Sequence, residues 1–261
     1  MIPYIGKGPV LEVSGLSKIY DSGFGCRDIS MDVWPGEVLA IVGESGSGKS
    51  TLVNCLSGLT SPTSGKIRYR GESGAMDLAS ISEIEKRQLM RRDMGIVHQN
   101  PRDGLRMGIS AGGNIGERLM ALGLRNYSRI RAAATGWLDR VEIGASRVND
   151  FPSSFSGGMQ QRLQIARCLV TDPRLVFMDE PTSGLDVSVQ ARLLDILRRL
   201  ARELSLSIVM VTHDLAVARM LAHRMMVMKD GRIVESGLTD QILDDPGHPY
   251  TQLLVSSILQ N

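Results

Sequence analysis

VLAIVGESGSGKSTLVNCLSGL, residues 38–59, joins a five-residue apolar strand to an amphipathic helix through a glycine-rich loop. The loop GESGSGKST, residues 43–51, fits G-x-x-x-x-G-K-[ST] in the strand–loop–helix setting that pattern requires. Its glycines let consecutive backbone N–H groups cradle phosphate oxygens. The expected cradle is Gly43, Glu44, Ser45, Gly46, Ser47, Gly48, Lys49, Ser50 and Thr51. Within it, Lys49 reaches the β- and γ-phosphates, and the Ser50 hydroxyl is placed to ligate magnesium. Average composition produces the pattern by accident in about one chain of this size in a hundred, and the flanking strand and helix lower that further. The loop defines a nucleotide site.

Outward from the loop, short apolar segments alternate with amphipathic ones. The first third is strand-rich: VLEVSGL (10–16), MDVWPGEVLAIVG (31–43) and KIRYRG (66–71), with one helix over about 48–59. From about 80 to 170 the chain is mostly helical, in ISEIEKRQLMRR, NIGERLMALG and SRIRAAATGWLDRV, broken by the apolar run MGIVHQ (94–99). The last third alternates LVFMDE (175–180), VSVQARLLDILRRLARELS, SIVMVTH (207–213) and DLAVARMLAHR, then a hairpin turning at Asp230-Gly231. This alternation predicts an α/β fold built on a mainly parallel sheet covered on both faces, with the helical middle inserted into it.

Composition bounds the function. The chain has 261 residues, 43% of them hydrophobic, and a formal charge of +2 from 30 basic and 28 acidic residues. That balance gives no reason to expect a nucleic-acid partner. No apolar run approaches the eighteen or so residues that span a bilayer, and the start MIPYIGKGPVLEV lacks the features of a signal peptide. Direct membrane insertion is therefore not expected, and a cytoplasmic location is. Cys26, Cys55 and Cys168 have no pairing or metal-ligand spacing and are expected as reduced, apolar residues.

Further chemistry-bearing residues stand at strand ends. LVFMDE closes an apolar strand with Asp179 and Glu180, which strand alternation points to different sides. The expected division has Asp179 supporting magnesium and Glu180 polarising the attacking water. His213 ends SIVMVTH and Gln99 ends MGIVHQ, on the side where open α/β sheets bind ligands. Either residue is a candidate contact for the γ-phosphate, the metal or the water. FSGGMQQR, 155–162, poses a separate question, because it places two glycines at a helix entrance. Ser156 is an ordinary N-cap, but the pair Gly157 and Gly158 lets bare backbone approach an anion at the positive end of the helix.

Tyr20, GESGSGKST, Gln99, FSGGMQQR, LVFMDE, SGLD (183–186) and His213 occur in the order found in ATP-binding-cassette ATPases, and the resemblance covers about residues 10–237. It implies a P-loop ABC nucleotide-binding domain with a RecA-like core, an N-terminal antiparallel β part and an inserted helical subdomain. Residues 1–261 would form one domain, the insertion about 100–170 and a C-terminal extension about 238–261. It also implies ATP and Mg2+ as cofactors, Tyr20 on adenine, Gln99 sensing magnesium and water, and His213 holding the γ-phosphate. Catalysis would fall to Glu180, His213, Lys49 and Gln99, and metal ligation to Ser50, Gln99 and Asp179. The opposing half of each site would be Ser156, Gly157, Gly158 and Gln160 of a second ABC ATPase subunit, in a homodimer or with a similar chain. One departure is Met159 where glutamine is commonest, a variant that occurs in peptide-importer relatives.

Two resemblances compete for the partner. DDPGHPYTQLLVSS, 244–257, is similar to the segment that follows the core in oligopeptide and nickel import ATPases, which work with separate membrane permeases. VHQNPRDGLRMGISAGGNIGERLMALG, 97–123, departs from the importer pattern and closely resembles the ATPases of bacterial carbon–phosphorus lyase systems. That second family implies docking on a soluble lyase core complex during phosphonate breakdown. Asn114, Glu117 and Arg118 are the expected partner contacts. The chain lacks the long coiled-coil insertion of chromosome and repair ATPases and the second cassette usual in translation factors.

Overall fold

The apolar run over 38–42 is buried at every position, as a strand sheathed on both faces must be. In the computed structural model, which describes residues 8–71 and 74–258, that run is the middle of a six-stranded sheet. In chain order the elements begin with the hairpin β1 (Leu11–Ile19) and β2 (Gly25–Val33), followed by β3 (Val38–Val42) and α1 (Lys49–Leu56). Next come β4 (Ser64–Gly71), β5 (Gly74–Asp77), α2 (Glu83–Arg92) and β6 (Met94–Val97). The helical stretch contains the single turn α3 (Pro101–Gly104), then α4 (Ala111–Ala121), α5 (Tyr127–Arg140) and α6 (Gly157–Leu169). The chain returns through β7 (Leu175–Asp179), α7 (Val187–Glu203), β8 (Ser207–Thr212) and α8 (Leu215–Leu221). It ends with β9 (Arg224–Lys229), β10 (Arg232–Leu238), α9 (Thr239–Asp244) and α10 (Pro249–Ile258).

The large sheet has the order β10-β9-β3-β8-β7-β6, parallel throughout except for the β9–β10 hairpin. Alternation along β3 divides the core. Val38, Ala40 and Val42 join an apolar cluster with residues of α4 to α8, whereas Leu39 and Ile41 join one with α1 and the second sheet. That second sheet is antiparallel, in the order β2-β1-β4-β5. The expected α/β class, antiparallel N-terminal part and helical middle are all present.

Three details depart from the sequence expectation. MDVWPGEVLAIVG is two strands in different sheets rather than one. Its Trp34–Glu37 turn is closed by Glu37 N–H donating to Trp34 O (3.0 Å) and by the buried Glu37 carboxylate accepting from Trp34 N–H (2.7 Å). β5 lies in a glycine-bearing segment with no apolar periodicity to announce it. α4 starts three residues before Asn114, with Ser110 as its cap accepting from Gly113 N–H at 3.2 Å. Glycine is required at 112, because a Cβ there would lie 2.5 Å from Val148. The three cysteines are free and buried, and burial pushes the Cys168 thiol up to about 11. Among the described residues no helix is long and apolar enough to cross a membrane.

Candidate nucleotide site

The C-terminal ends of β3, β7 and β8 converge on the loop that opens α1, the crevice where an open parallel sheet binds ligands. A cavity of about 770 Å³ lies there. Gly43, Glu44, Ser45, Gly46, Gly48, Lys49, Ser50 and Thr51 form one wall, and Gln99, Glu180, Ser183 and His213 face them. Tyr20 also lines it and is 43% exposed. Most of the residues expected from sequence are thus brought together. Ser47 belongs to the loop but is buried beneath it, and its backbone O accepts from Gly231 N–H at 3.0 Å.

The loop is held by its own backbone. Gly48 has φ +101°, and a Cβ there would sit 2.3 Å from Gly25 O, so only glycine lets the loop pass the β1–β2 hairpin this closely. Gly48 caps α1 without a side chain, which leaves the first-turn N–H groups open to an anion. Lys49 is 5% exposed, and its Nζ donates to Gly43 O and Glu44 O, both at 2.8 Å. Burial lowers its pKa from the ordinary lysine value, while Glu180, Asp179 and Glu44 oppose that shift. A phosphate would give this ammonium the counter-charge that loop carbonyls supply only as dipoles.

Asp179 does not line the cavity itself but stands behind Ser50, whose Oγ donates to Asp179 Oδ1 at 3.3 Å. Burial raises the Asp179 carboxyl above its ordinary range, and the Ser50 hydroxyl only partly reverses that. Glu180 turns the other way. Its Oε2 lies 3.0 Å from His213 Nδ1, and Gln99 Nε2 donates to it at 3.5 Å and to Ser183 Oγ at 3.2 Å. Glu180 has φ +42°, a backbone conformation an ordinary side chain pays to adopt. Gln99 and His213 stand just beyond their strands, since β6 ends at Val97 and β8 at Thr212. Their freedom from the ladder is what lets both side chains reach Glu180.

Ser156, Gly157, Gly158 and Gln160 do not line this cavity. Ser156 caps α6, accepting from Met159 N–H at 3.3 Å, and the space where Gly157 would carry a Cβ is open. Gly158 is a glycine for a different reason: its Cβ would meet Val189 of α7 at 2.3 Å. Gln160 is corrected from a nucleotide contact. It is 8% exposed, and its amide nitrogen donates to Pro152 O (3.0 Å) and Phe155 O (3.1 Å), holding the loop that presents Ser156. Met159 packs inward, with Arg147 Nη1 3.8 Å from its sulfur.

The partner-contact expectation is corrected at Asn114. This side chain is fully buried and exchanges bonds with Arg106 N–H (2.8 Å), Arg106 O (3.0 Å), Ile109 O (2.9 Å) and Ser110 O (3.1 Å). Glu117 pairs with Arg106 at 2.8 Å, and Arg118 donates to Met90 O at 3.2 Å, so both have partners within the chain.

Sequence reasoning missed Phe24 and Leu254, which complete the cavity wall beside Tyr20, and Tyr250. The Tyr250 hydroxyl accepts from Glu44 N–H at 3.2 Å, tying the HPYT segment to the phosphate loop. Phe24 carried a signal, an aromatic in a glycine-rich turn. Tyr250 carried none, because a contact across 206 positions leaves no local pattern.

A phosphate loop at the switch of a parallel sheet, with a strand-end Asp-Glu pair and a capped Ser-Gly-Gly helix on an inserted arm, defines an ATP-binding-cassette ATPase. The ABC transporter family model matches residues 26–183, and the chain belongs to that family. It binds ATP and hydrolyses it. The chain is 63% identical over 253 residues to the putative phosphonates utilization ATP-binding protein PhnK of Escherichia coli strain K12, covering 97% of this chain and 99% of that protein. A putative peptide import ATP-binding protein of Brucella melitensis biotype 1 is 38% identical over 268 residues, covering 97% and 79%. Among solved structures, the dimeric post-hydrolysis state of the ATP-binding cassette MJ0796 bound to ADP and Pi superposes with a TM-score of 0.78. It shares 28% identity and covers 88% of this chain and 98% of that one.

Proposed function

We propose that this chain is the ATPase subunit that docks on a soluble carbon–phosphorus lyase core complex in the cytoplasm and drives a conformational change needed for phosphonate breakdown. The observation that carries this reading is the near full-length 63% identity to PhnK, against 38% for the peptide-import relative. The segment 97–123, where the sequence departs from importers, contains Gln99 and leads into the arm that a partner would move.

In the proposed cycle, Tyr20 stacks on adenine and Lys49 exchanges its loop carbonyls for β- and γ-phosphate oxygens. Glu180 accepts a proton from the water that attacks the γ-phosphate, and Gln99 orients that water. His213 Nδ1 lies 3.0 Å from Glu180 Oε2, which orients the ring and leaves Nε2 as the atom that would meet the γ-phosphate. A hydroxyl and one carboxylate at a phosphate site suit magnesium, which takes one or two carboxylates, substrate oxygens and water. Ser50, Asp179 and Gln99 would hold it, and when bound it neutralises charge developing on the phosphates. Ser156 and Gly157 are exposed and outside their own chain's cavity, so a second copy supplies them across a homodimer. Closure on ATP and reopening after hydrolysis would then be transmitted through the inserted arm, about 100–170.

Purification of the protein at its native level, with ATP present and with membrane and soluble fractions separated, tests this. Recovery with soluble lyase subunits, enriched for Glu180→Gln, is expected. Recovery with a polytopic membrane protein would replace this function by an importer ATPase for peptide, nickel or phosphonate.

A further inference from the structure

The C-terminal helix reaches back to the nucleotide cavity. Tyr250 and Leu254 stand one turn apart on α10 and therefore share a face. The Tyr250 hydroxyl accepts from Glu44 N–H at 3.2 Å, and one turn on, the half-buried Leu254 lines the cavity. The helix is fixed in that place from its start. The Glu235 carboxylate accepts from Gly247 N–H (2.7 Å) and His248 N–H (3.1 Å), and His248 Nδ1 accepts from Tyr250 N–H at 3.1 Å. Lys229 Nζ lies 4.8 Å from the centre of the Tyr250 ring. Residues of β9 and β10 thus hold α10 against the phosphate loop.

The β1–β2 turn supplies another apolar wall. Tyr20 N–H donates to Phe24 O (2.9 Å) and Gly23 N–H to Tyr20 O (2.8 Å), which closes the turn with Tyr20 and Phe24 both on the cavity. Arg27 Nη2 donates to Gly23 O at 3.0 Å and braces it. The turn is seated on the loop through Gly25, whose carbonyl oxygen would lie 2.3 Å from a Cβ at Gly48 and 2.8 Å from one at Gly231. Phe24 is 68% exposed, an aromatic side chain left in water on the lining of a binding cavity. Such a side chain gains when a flat, apolar surface covers it. Neither Phe24 nor Leu254 has a polar side-chain atom, so both meet a ligand through apolar area and not through hydrogen bonds to a base edge.

With Tyr20 assigned to adenine as in the proposed cycle, on which this step rests, we propose that Phe24 and Leu254 complete a three-sided clamp on the nucleobase and ribose. Two sides come from the first hairpin and the third from α10, so a bound nucleotide bridges the first and last elements of the fold. Phe24 and Leu254 set how tightly the nucleoside end is held. Lacking edge contacts, they hold adenine and guanine equally. The phosphates remain the task of Lys49 and the loop N–H groups. The clamp therefore contributes to nucleoside affinity and leaves phosphate affinity unchanged.

Calorimetry on the full chain with magnesium, using ADP, GDP and inorganic pyrophosphate in turn, tests this. Phe24→Ala should weaken ADP and GDP alike by at least about fivefold, as the loss of one base–aromatic stack does. Leu254→Ala should weaken both by about threefold or more through lost apolar burial. Pyrophosphate, which has no nucleoside, should bind the wild type and both variants equally, which also shows that the phosphate loop is intact in each. Unchanged ADP affinity in either variant, or a loss confined to one base, would overturn the clamp. Equal weakening of pyrophosphate would overturn it too, since the substitutions would then act through the loop. A wild-type chain that binds neither ADP nor pyrophosphate would overturn the nucleotide site itself.

Discussion

Asp179 and Glu180 are neighbours in the chain, yet their carboxylates bond to opposite walls of one cavity: Asp179 Oδ1 is 3.3 Å from Ser50 Oγ, and Glu180 Oε2 is 3.0 Å from His213 Nδ1. Strand alternation begins the separation, and the positive φ of Glu180 completes it. The same chemical group is thereby offered twice. One copy sits beside the phosphate loop, and the other, 17% exposed, meets His213 and Gln99.

Asp179→Asn tests the first position. Removing one negative charge from the proposed magnesium site should raise the magnesium concentration needed for half-maximal ATPase activity by about tenfold or more, while metal-free nucleotide binding changes little. A magnesium titration of turnover, with fluorescent-nucleotide binding in chelator, measures both. An unchanged magnesium requirement would remove Asp179 from the metal site.

Tyr250→Phe deletes only the hydroxyl that accepts from Glu44 N–H. A typical intramolecular hydrogen bond contributes about 0.5–1.5 kcal/mol, so ATP affinity should fall roughly two- to tenfold if the bond pre-shapes the loop. Equal affinity in equilibrium dialysis would mean that α10 merely packs against the site.

Gly157 and Gly158 separate stability from function. Gly158→Ala places a methyl group against Val189 and should destabilise the fold by about 1–3 kcal/mol, with recovery in the double variant with Val189→Ala. Gly157→Ala enters open space and should leave stability within about 0.5 kcal/mol while weakening ATP-driven dimerisation. Thermal denaturation and sedimentation in ATP resolve the two effects. A Gly157→Ala protein that dimerises like the wild type would mean this helix entrance does not meet nucleotide.

Asn114→Ala removes the buried side chain that bonds to Arg106 N–H and to the Arg106, Ile109 and Ser110 carbonyls. A loss of about 2–4 kcal/mol of stability is expected in denaturant unfolding. A stable variant that loses only partner binding would restore the surface role that burial argues against.

These residues also mark how far the sequence could be read. The phosphate loop, the Asp179–Glu180 pair and the strand-end His213 were legible because local pattern carries them: a glycine spacing, an apolar run, a polar terminus. The alternation of strand and helix gave the parallel sheet for the same reason. Asn114 misled because polarity at a helix start normally means exposure, whereas the preceding loop folds back to give its buried side chain four backbone partners. Gln160 misled likewise, standing beside the exposed Ser156 and Gly157 while its own side chain turns into the arm. Tyr250 depends on elements far apart in the chain, and periodicity does not encode such a contact.

The most direct test is Glu180→Gln, measured for turnover and for sedimentation with and without ATP. Loss of the base should lower hydrolysis by about 10²–10⁴-fold and leave ATP binding intact, so that the variant sediments as a dimer with ATP and a monomer without it. Wild-type turnover, or a monomer at saturating ATP, would contradict a site completed by a second subunit and fired by Glu180.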